Sequence, residues 1–301
     1  MPASYAPSMR IVTLLPAATE IVAALGAEAR LVGTSHECDW PPQLADRPRM
    51  TTTPIDPEAP GATIDAQVHR LKASGRPVIA VDGHQLRALA PDLIITQGLC
   101  DVCAVIDGEV HRLAAAIAPP PRVLSLTAKD LDGIWQDIRA VAAAIGRDAA
   151  AEALITEQQA RLVALAERRA ATRPRVACIE WLDPPYLAGH WVPELVAAAG
   201  GVDVGARAGS HSVVQPWQEI RALAPDLILV LLCGMNLERA RRELATVTDS
   251  DALALFRQHP TWLLDGNAYT SRPGPRVVDG AERIQAALQD RTMAGLERWR
   301  P

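Results

Sequence analysis

Residues 86–95 read LRALAPDLII and residues 220–229 read IRALAPDLIL, two near-copies in one chain. In each, an amphipathic stretch runs into a proline and then into a short apolar run. Proline has no N–H to donate and its ring clashes with the preceding turn, so Pro91 and Pro225 each end a helix. The Leu and Ile that follow have the length and unbroken apolarity of a strand buried on both faces, as in a parallel sheet. A repeated helix–stop–strand unit predicts two halves built on one plan.

The echo extends to the start of each half. RIVTLLPAATEIVAALG (10–26) reads as strand, proline-containing turn and helix. RVACIEWLDPPYLAGHWVPELVAAAGG (175–201) has the same order with a longer turn. Thr19 and Glu20 suit a first helical turn and Gly26 its C-cap, while Pro193 and Glu194 open the second helix and Gly200 closes it. Further short strands are predicted at 30–34, 77–81, 122–126, 227–232 and 261–264. Residues 51–82 read as an insertion into the first half, helical from Ile64 to Ala73. Between the halves, Lys129 to Arg173 contains no proline and a single glycine, Gly146. Ile134, Ile138, Val141 and Ile145 recur there at three- and four-residue steps, the period of a helix face. The predicted organisation is an N-terminal α/β lobe over 9–128, a helical connector over 129–173 and a C-terminal α/β lobe over 174–301. A ligand cleft is expected between the lobes. The connector is expected to be stiff, and to break, if anywhere, at Gly146.

Composition narrows the function. The 301 residues are 49% hydrophobic and 22% charged, with a formal net charge of −5. A nucleic-acid protein needs a basic face for phosphates, so that class is excluded. The longest apolar run, Leu227 to Cys233, is far below the roughly 18 residues of a membrane span. Five cysteines, an odd number, do not make a disulfide framework. The opening residues show no charged, apolar leader pattern. Cytoplasmic residence is expected, or periplasmic residence if a leader precedes this sequence.

Two constellations carry chemistry. The chain has seven Trp but one Phe and three Tyr. Trp40, Trp181, Trp191, Trp217, Tyr186 and Tyr269 all stand beside proline, glycine or turn residues, which predicts strand-end loops. As a set they suit a cleft for a large, flat, partly apolar ligand; singly, any of them could be packing a core. Asn267 and Arg272 lie in the same turn-rich DGNAYTSRPGPR segment as Tyr269, and arginine there suits an anionic group. His36, Cys38, Cys100 and Cys103 form the second constellation. Brought to one sheet edge they would make a soft tetrahedral metal site. A redox C-x-x-C and inert thiols are the other readings. Cys178 and Cys233 are expected in the core. His190, His211, Glu180, Asp183 and Glu194 have the chemistry for acid–base work, but capping and turn roles explain the last two equally well.

These motifs carry a resemblance. The opening RIVTLLPAATEIVAALGAEARLVGTSHECDWP, the two RALAPDL copies, the connector and the closing DGNAYTSRPGPRVVDGAERI resemble the helical-backbone (class III) substrate-binding proteins of metal-chelate importers. Within that family they are most similar to the cobalamin-binding members. The resemblance implies two Rossmann-like α/β lobes, a rigid helical connector and an aromatic-lined cleft. It also implies a non-catalytic, monomeric protein whose ligand is cobalamin or another metal chelate. By motif position, Trp40, Tyr186, Trp217 and Tyr269 match cleft aromatics. The 51–82 insertion displaces the stretch that carries another one. Where importer-linked members carry acids that meet their ABC permease, this sequence has His84 and Gln218, so conventional permease docking is not expected. Two alternatives stand beside this: an enzyme using His36, Cys38, Cys100 and Cys103 with a metal or thiol, and an importer subunit.

Overall fold

The computed structural model describes residues 9–98, 107–168 and 172–300. It is an α/β chain that divides into two compact units. The first is drawn from Met1–Pro57, Ala66–Ala128 and Trp135–Leu154, the second from Glu58–Asp65, Lys129–Ile134 and Ile155–Pro301.

The first unit contains β1 (Ile11–Thr13), α1 (Pro16–Ala24), β2 (Leu31–Gly33), β3 (Thr51–Thr52), most of α2 (Gly61–Ala73), β4 (Ala80–Val81), α3 (Gly83–Leu89), β5 (Leu93–Gln97), α4 (Asp107–Ala115) and β6 (Arg122–Leu126). Its main sheet has the order β2-β1-β5-β6, with every pairing parallel. Ile11, Val12 and Leu93 to Ile95 are fully buried, as strands covered on both faces must be. Val12, Leu14, Met50, Leu86, Ile94 and Val110 form the core on one side of the sheet. β3 and β4 pair separately as a small antiparallel ladder. The predicted strand over 77–81 is thus reduced to its last two residues.

The stretch expected to be a helical connector contains two helices, α5 (Leu131–Ile145) and α6 (Asp148–Glu167). Gly146 lies between them with φ +68°, a left-handed conformation that glycine adopts without steric cost. Asp137 of α5 is buried and accepts hydrogen bonds from the Thr127 and Ala128 backbone N–H groups, which follow β6 directly. Burial nevertheless pushes its carboxyl above the usual range.

The second unit contains β7 (Arg175–Leu182), β8 (Pro185–Leu187), α7 (Val192–Ala199), β9 (Val202–Asp203), β10 (Val213–Val214), α8 (Trp217–Ala222), β11 (Leu227–Val230), α9 (Leu237–Ala245), α10 (Ser250–Gln258), β12 (Thr261–Leu264), α11 (Gly266–Tyr269), α12 (Val277–Leu288) and β13 (Leu296–Trp299). Its sheet has the order β10-β8-β7-β11-β12-β13, with β9 also on β7. β7, β11 and β12 are parallel, while β8 and β13 are antiparallel to their neighbours. Cys178 is buried in β7. Cys233 lies beyond β11 and is only half-buried, because the strand ends at Val230 and the chain has turned toward α9.

The two APDL copies do the same structural work. In the first unit, the Arg10 backbone N–H donates to the Asp92 carboxylate at 2.7 Å, and the Asp92 N–H donates back to the Arg10 carbonyl at 2.8 Å. In the second, the Arg175 N–H donates to Asp226 at 2.8 Å, and the Asp226 N–H returns to the Arg175 carbonyl at 2.8 Å. The arginine side chains complete each clasp on carbonyls of the preceding helix end: Leu89 for Arg10, Ala224 and Leu223 for Arg175. Ala90 and Ala224, directly before the prolines, both take positive φ, 40° and 46°. A residue before proline is disfavoured in the right-handed helical region, so the chain turns sharply into the strand there.

Asp226→Ala removes the carboxylate side of one clasp. It should cost about 1 kcal/mol, the net worth of a hydrogen bond at a solvated strand end, read as a lower urea midpoint at unchanged slope.

Candidate functional site

The second unit holds a pocket of about 400 Å³. Its position follows from the β7–β8 hairpin. Asp183 and Pro184 form the turn, so the aromatics on either side fall on paired strands. Trp181 and Tyr186 are direct cross-strand partners. Directly opposed residues share a sheet face, which places an indole and a phenol side by side. The Trp181 indole Nε1 donates to the Asp183 carbonyl at 3.1 Å, fixing the ring over the turn. Burial, then the charges of Asp65 and Glu180, hold the Tyr186 hydroxyl above its ordinary pKa. It therefore remains a neutral hydrogen-bond donor across the physiological range.

Trp181, Leu182 and the Asp183–Pro185 turn make one wall of the pocket, and Pro216 and Trp217 another. Met235, Glu243 and Thr246–Asp249 continue the lining, and Pro60–Ala62 completes it. Trp217 is only 7% exposed. Its ring meets Phe256 edge-on with centroids 5.5 Å apart, and Phe256 meets Trp299 in the same way. Its first duty is to the core. The sequence expectation of a strand-end-loop aromatic fails here because Pro216 starts α8, and Trp217 is the first residue on that helix's inward side.

A second group surrounds the start of α7 and α11. Trp191 is buried and donates its Nε1 to the Thr270 carbonyl at 2.9 Å. The Arg283 guanidinium lies 3.6 Å from the Tyr269 ring centroid and donates to its hydroxyl at 2.9 Å. Arg272 is buried and donates to Asn267 Oδ1 at 2.8 Å. The Trp191 and Tyr269 rings are thus committed to internal partners. His190 has φ 53° and meets His211 edge-on at 5.3 Å. Among the described residues, its Nε2 is buried without a hydrogen-bond partner. Burial, then the His211 and Lys129 charges, lower its pKa.

Trp40 belongs to the first unit and is 47% exposed. His36 Nδ1 lies 2.6 Å from Thr51 Oγ1, and Cys38 Sγ lies 3.0 Å from Thr19 Oγ1 within a buried hydroxyl cluster that includes Thr13. Burial and the Arg49 charge lower the His36 pKa. Cys100 and Cys103 lie outside the described residues. Among the described residues, no three His, Cys, Asp or Glu side chains converge as metal ligands. Sequence reasoning expects the 51–76 insertion to help accommodate a ligand, but it missed Glu243. The charged run LERARRE looks like a solvated helix face, and its only visible signal is the four-residue spacing of Arg239 and Glu243.

The periplasmic binding protein family matches residues 11–262. The chain is similar to a vitamin B12-binding protein of Vibrio cholerae, 25% identical over 295 residues that cover 94% of this chain and 90% of the relative. Among solved structures it resembles a periplasmic heme binding protein from Pseudomonas aeruginosa, with TM-score 0.72 and 19% identity over 97% of this chain and 98% of that one. It also resembles the periplasmic vitamin B12 binding protein BtuF of Vibrio cholerae, with TM-score 0.64 and 21% identity over 94% and 98%. At these identities the structural likeness establishes the fold. Among the described residues, no helix is long and apolar enough to cross a membrane.

Two measurements check this geometry. Trp217→Ala should cost about 3–5 kcal/mol in urea unfolding, the range for emptying a buried aromatic site, and Trp181→Ala clearly less. His190 and His36 both have pKa values lowered from 6.5. Between the folded value and 6.5 the unfolded chain holds a proton that the folded chain does not, so stability rises with pH through that window. The urea midpoint should fall as pH drops below about 6.5, and His190→Gln should make that fall shallower.

Proposed function

The chain belongs to the periplasmic binding protein family, and on that premise we propose that it is a non-catalytic binding protein for cobalamin, a related corrinoid or another metal chelate. The paired Trp181 and Tyr186 beside a pocket carry this reading. A flat macrocycle is recognised by flat rings, and Tyr186 adds a neutral donor for its polar side chains. The relatives named for vitamin B12 and heme support the same ligand class. Trp181 and Tyr186 lead the proposed contact set, with Trp40, Trp191, Trp217, Tyr269, Asn267 and Arg272 as its further members. The metal travels inside the ligand's ring, so His36, Cys38, Cys100 and Cys103 are not asked to hold it. Cytoplasmic residence belongs to the same reading, supported by five cysteines, an odd number that does not make a disulfide framework. So does action without conventional permease docking, supported by His84 and Gln218 at the positions matched to the permease-facing acids.

Titration with hydroxocobalamin, cyanocobalamin and haemin, followed by heat and by the visible spectrum, tests the proposal. Binding of at least one at micromolar Kd is expected, weakened about tenfold or more in Trp181→Ala, since a lost aromatic stacking face is worth 1.4 kcal/mol or more. No binding tighter than about 100 µM to any of the three would overturn it.

A further inference from the structure

One wall of the second unit's pocket is a segment of the insertion. Residues 58–61, a strap of Glu, Ala, Pro and Gly, lie against α9 and make hydrogen bonds and ion pairs with it. Arg239, 9% exposed, donates to the Ala59 carbonyl at 2.5 Å. Glu243 Oε2 accepts from the Gly61 backbone N–H at 2.9 Å. Glu58 pairs with Arg242 at 2.8 Å and with Arg239 at 3.8 Å. Arg239 and Glu243 also pair with each other, at 3.6 Å. Gly61 starts α2, and neither Pro60 nor Gly61 has a side chain able to cap that helix. Glu243 supplies the missing cap from outside, its charge favourably placed at a helix N-terminus. The approach is close: a Cβ on Gly61 would stand 3.1 Å from Glu243 Oε2 and 3.5 Å from the Trp181 ring.

We propose that the 58–61 strap is a lid that opens from the face of Trp181, with Arg239, Glu243 and Glu58 as its latch. The strap brings little apolar area to its seat: only Ala59 and Gly61 are buried, and along α2 Gly61 is the one buried position. Glu58 and Arg242 are 69% and 58% exposed, so their pairing is weak and screened by salt. An attachment of this kind opens locally at far lower cost than the sheet beneath it. The pocket with the strap in place, about 400 Å³ and partly open, lies low in the roughly 300–1,000 Å³ range of small-molecule sites. Lifting the strap would uncover more of the Trp181 ring and widen the site. A ligand that binds only the open form draws the equilibrium toward it. The proposal rests on the reading of this pocket as a ligand site, and its first two readouts need no ligand.

Amide hydrogen exchange and acrylamide quenching on the full chain test the lid, with Trp181 fluorescence taken as the difference from the same protein carrying Trp181→Phe. The Gly61 N–H should exchange at least ~100-fold faster than the β11 amides, and several-fold faster again when salt is raised from about 0.05 to 0.5 M. Glu243→Ala, Arg239→Ala and the surface variant Glu58→Gln should each speed that exchange and make Trp181 more quenchable, and should raise the association rate of any chelate that binds. Exchange of Gly61 at the β11 rate in the wild type and in Glu58→Gln, or faster exchange with Trp181 quenching unchanged, would show a fixed wall and overturn the lid. If exchange and quenching behave as expected while neither haemin nor hydroxocobalamin binds, the lid stands and the chelate reading falls.

Discussion

The Asp–Arg clasp at the root of each sheet is the constraint on which the rest depends. Asp92 holds the start of β1 beside β5, and Asp226 holds the start of β7 beside β11. Side chains alternate faces along a strand, so a slip of one residue would exchange each strand's two faces. Holding Ile11 opposite Leu93, and Val176 opposite Leu227, keeps both apolar runs in register in sheets buried on both sides. The clasp matters for this alignment more than for its own modest free energy. It also explains why the two copies retain Asp and why the arginines at positions 10 and 175 stand in equivalent places.

Once register is set at the amino ends of the strands, the carboxyl ends are set as well. β7 runs out to Trp181 and Leu182, and its return through β8 brings Tyr186 back beside the indole. The pocket then needs three further pieces: the start of α8, α9, and the strap that begins α2. Two of these are themselves held by polar groups. α9 is capped by the Asn236 side chain on the Arg239 N–H, and α2 by Glu243. The same short helix therefore presents Arg239 and Glu243, one turn apart, to the strap.

The aromatics divide by what their surroundings demand of them. Trp217 and Trp191 have little free surface, and both rings are tied to core partners or to a backbone carbonyl. Tyr269 lies under Arg283, where cation–π attraction and a hydrogen bond to the hydroxyl fasten the 294–299 return onto α12. Trp181 and Tyr186 remain as part-buried neighbours on paired strands, Trp181 packed on the core and lining the pocket. The proposed ligand role therefore concentrates on them, while their neighbours keep the pocket walls from collapsing.

The sequence by itself determined the α/β plan and its duplication, because proline stops, left-handed glycine sites and unbroken apolar strands are local properties. Pro91 and Pro225 end helices, Gly146 and Gly200 sit in left-handed turns, and β6 and β12 fall on the residues that their apolar runs mark. The candidate site was legible in part: Trp181 and Tyr186 stand out as aromatics flanking an Asp-Pro-Pro turn. Only the tertiary structure decided that this turn makes them cross-strand partners, that Trp217 points into the core, and that residues 58–61 lie against α9 beside the pocket. Those outcomes depend on contacts between residues up to 184 positions apart, as in Arg242 to Glu58. No local pattern of periodicity or turn chemistry records which surface a distant, charged helix will find.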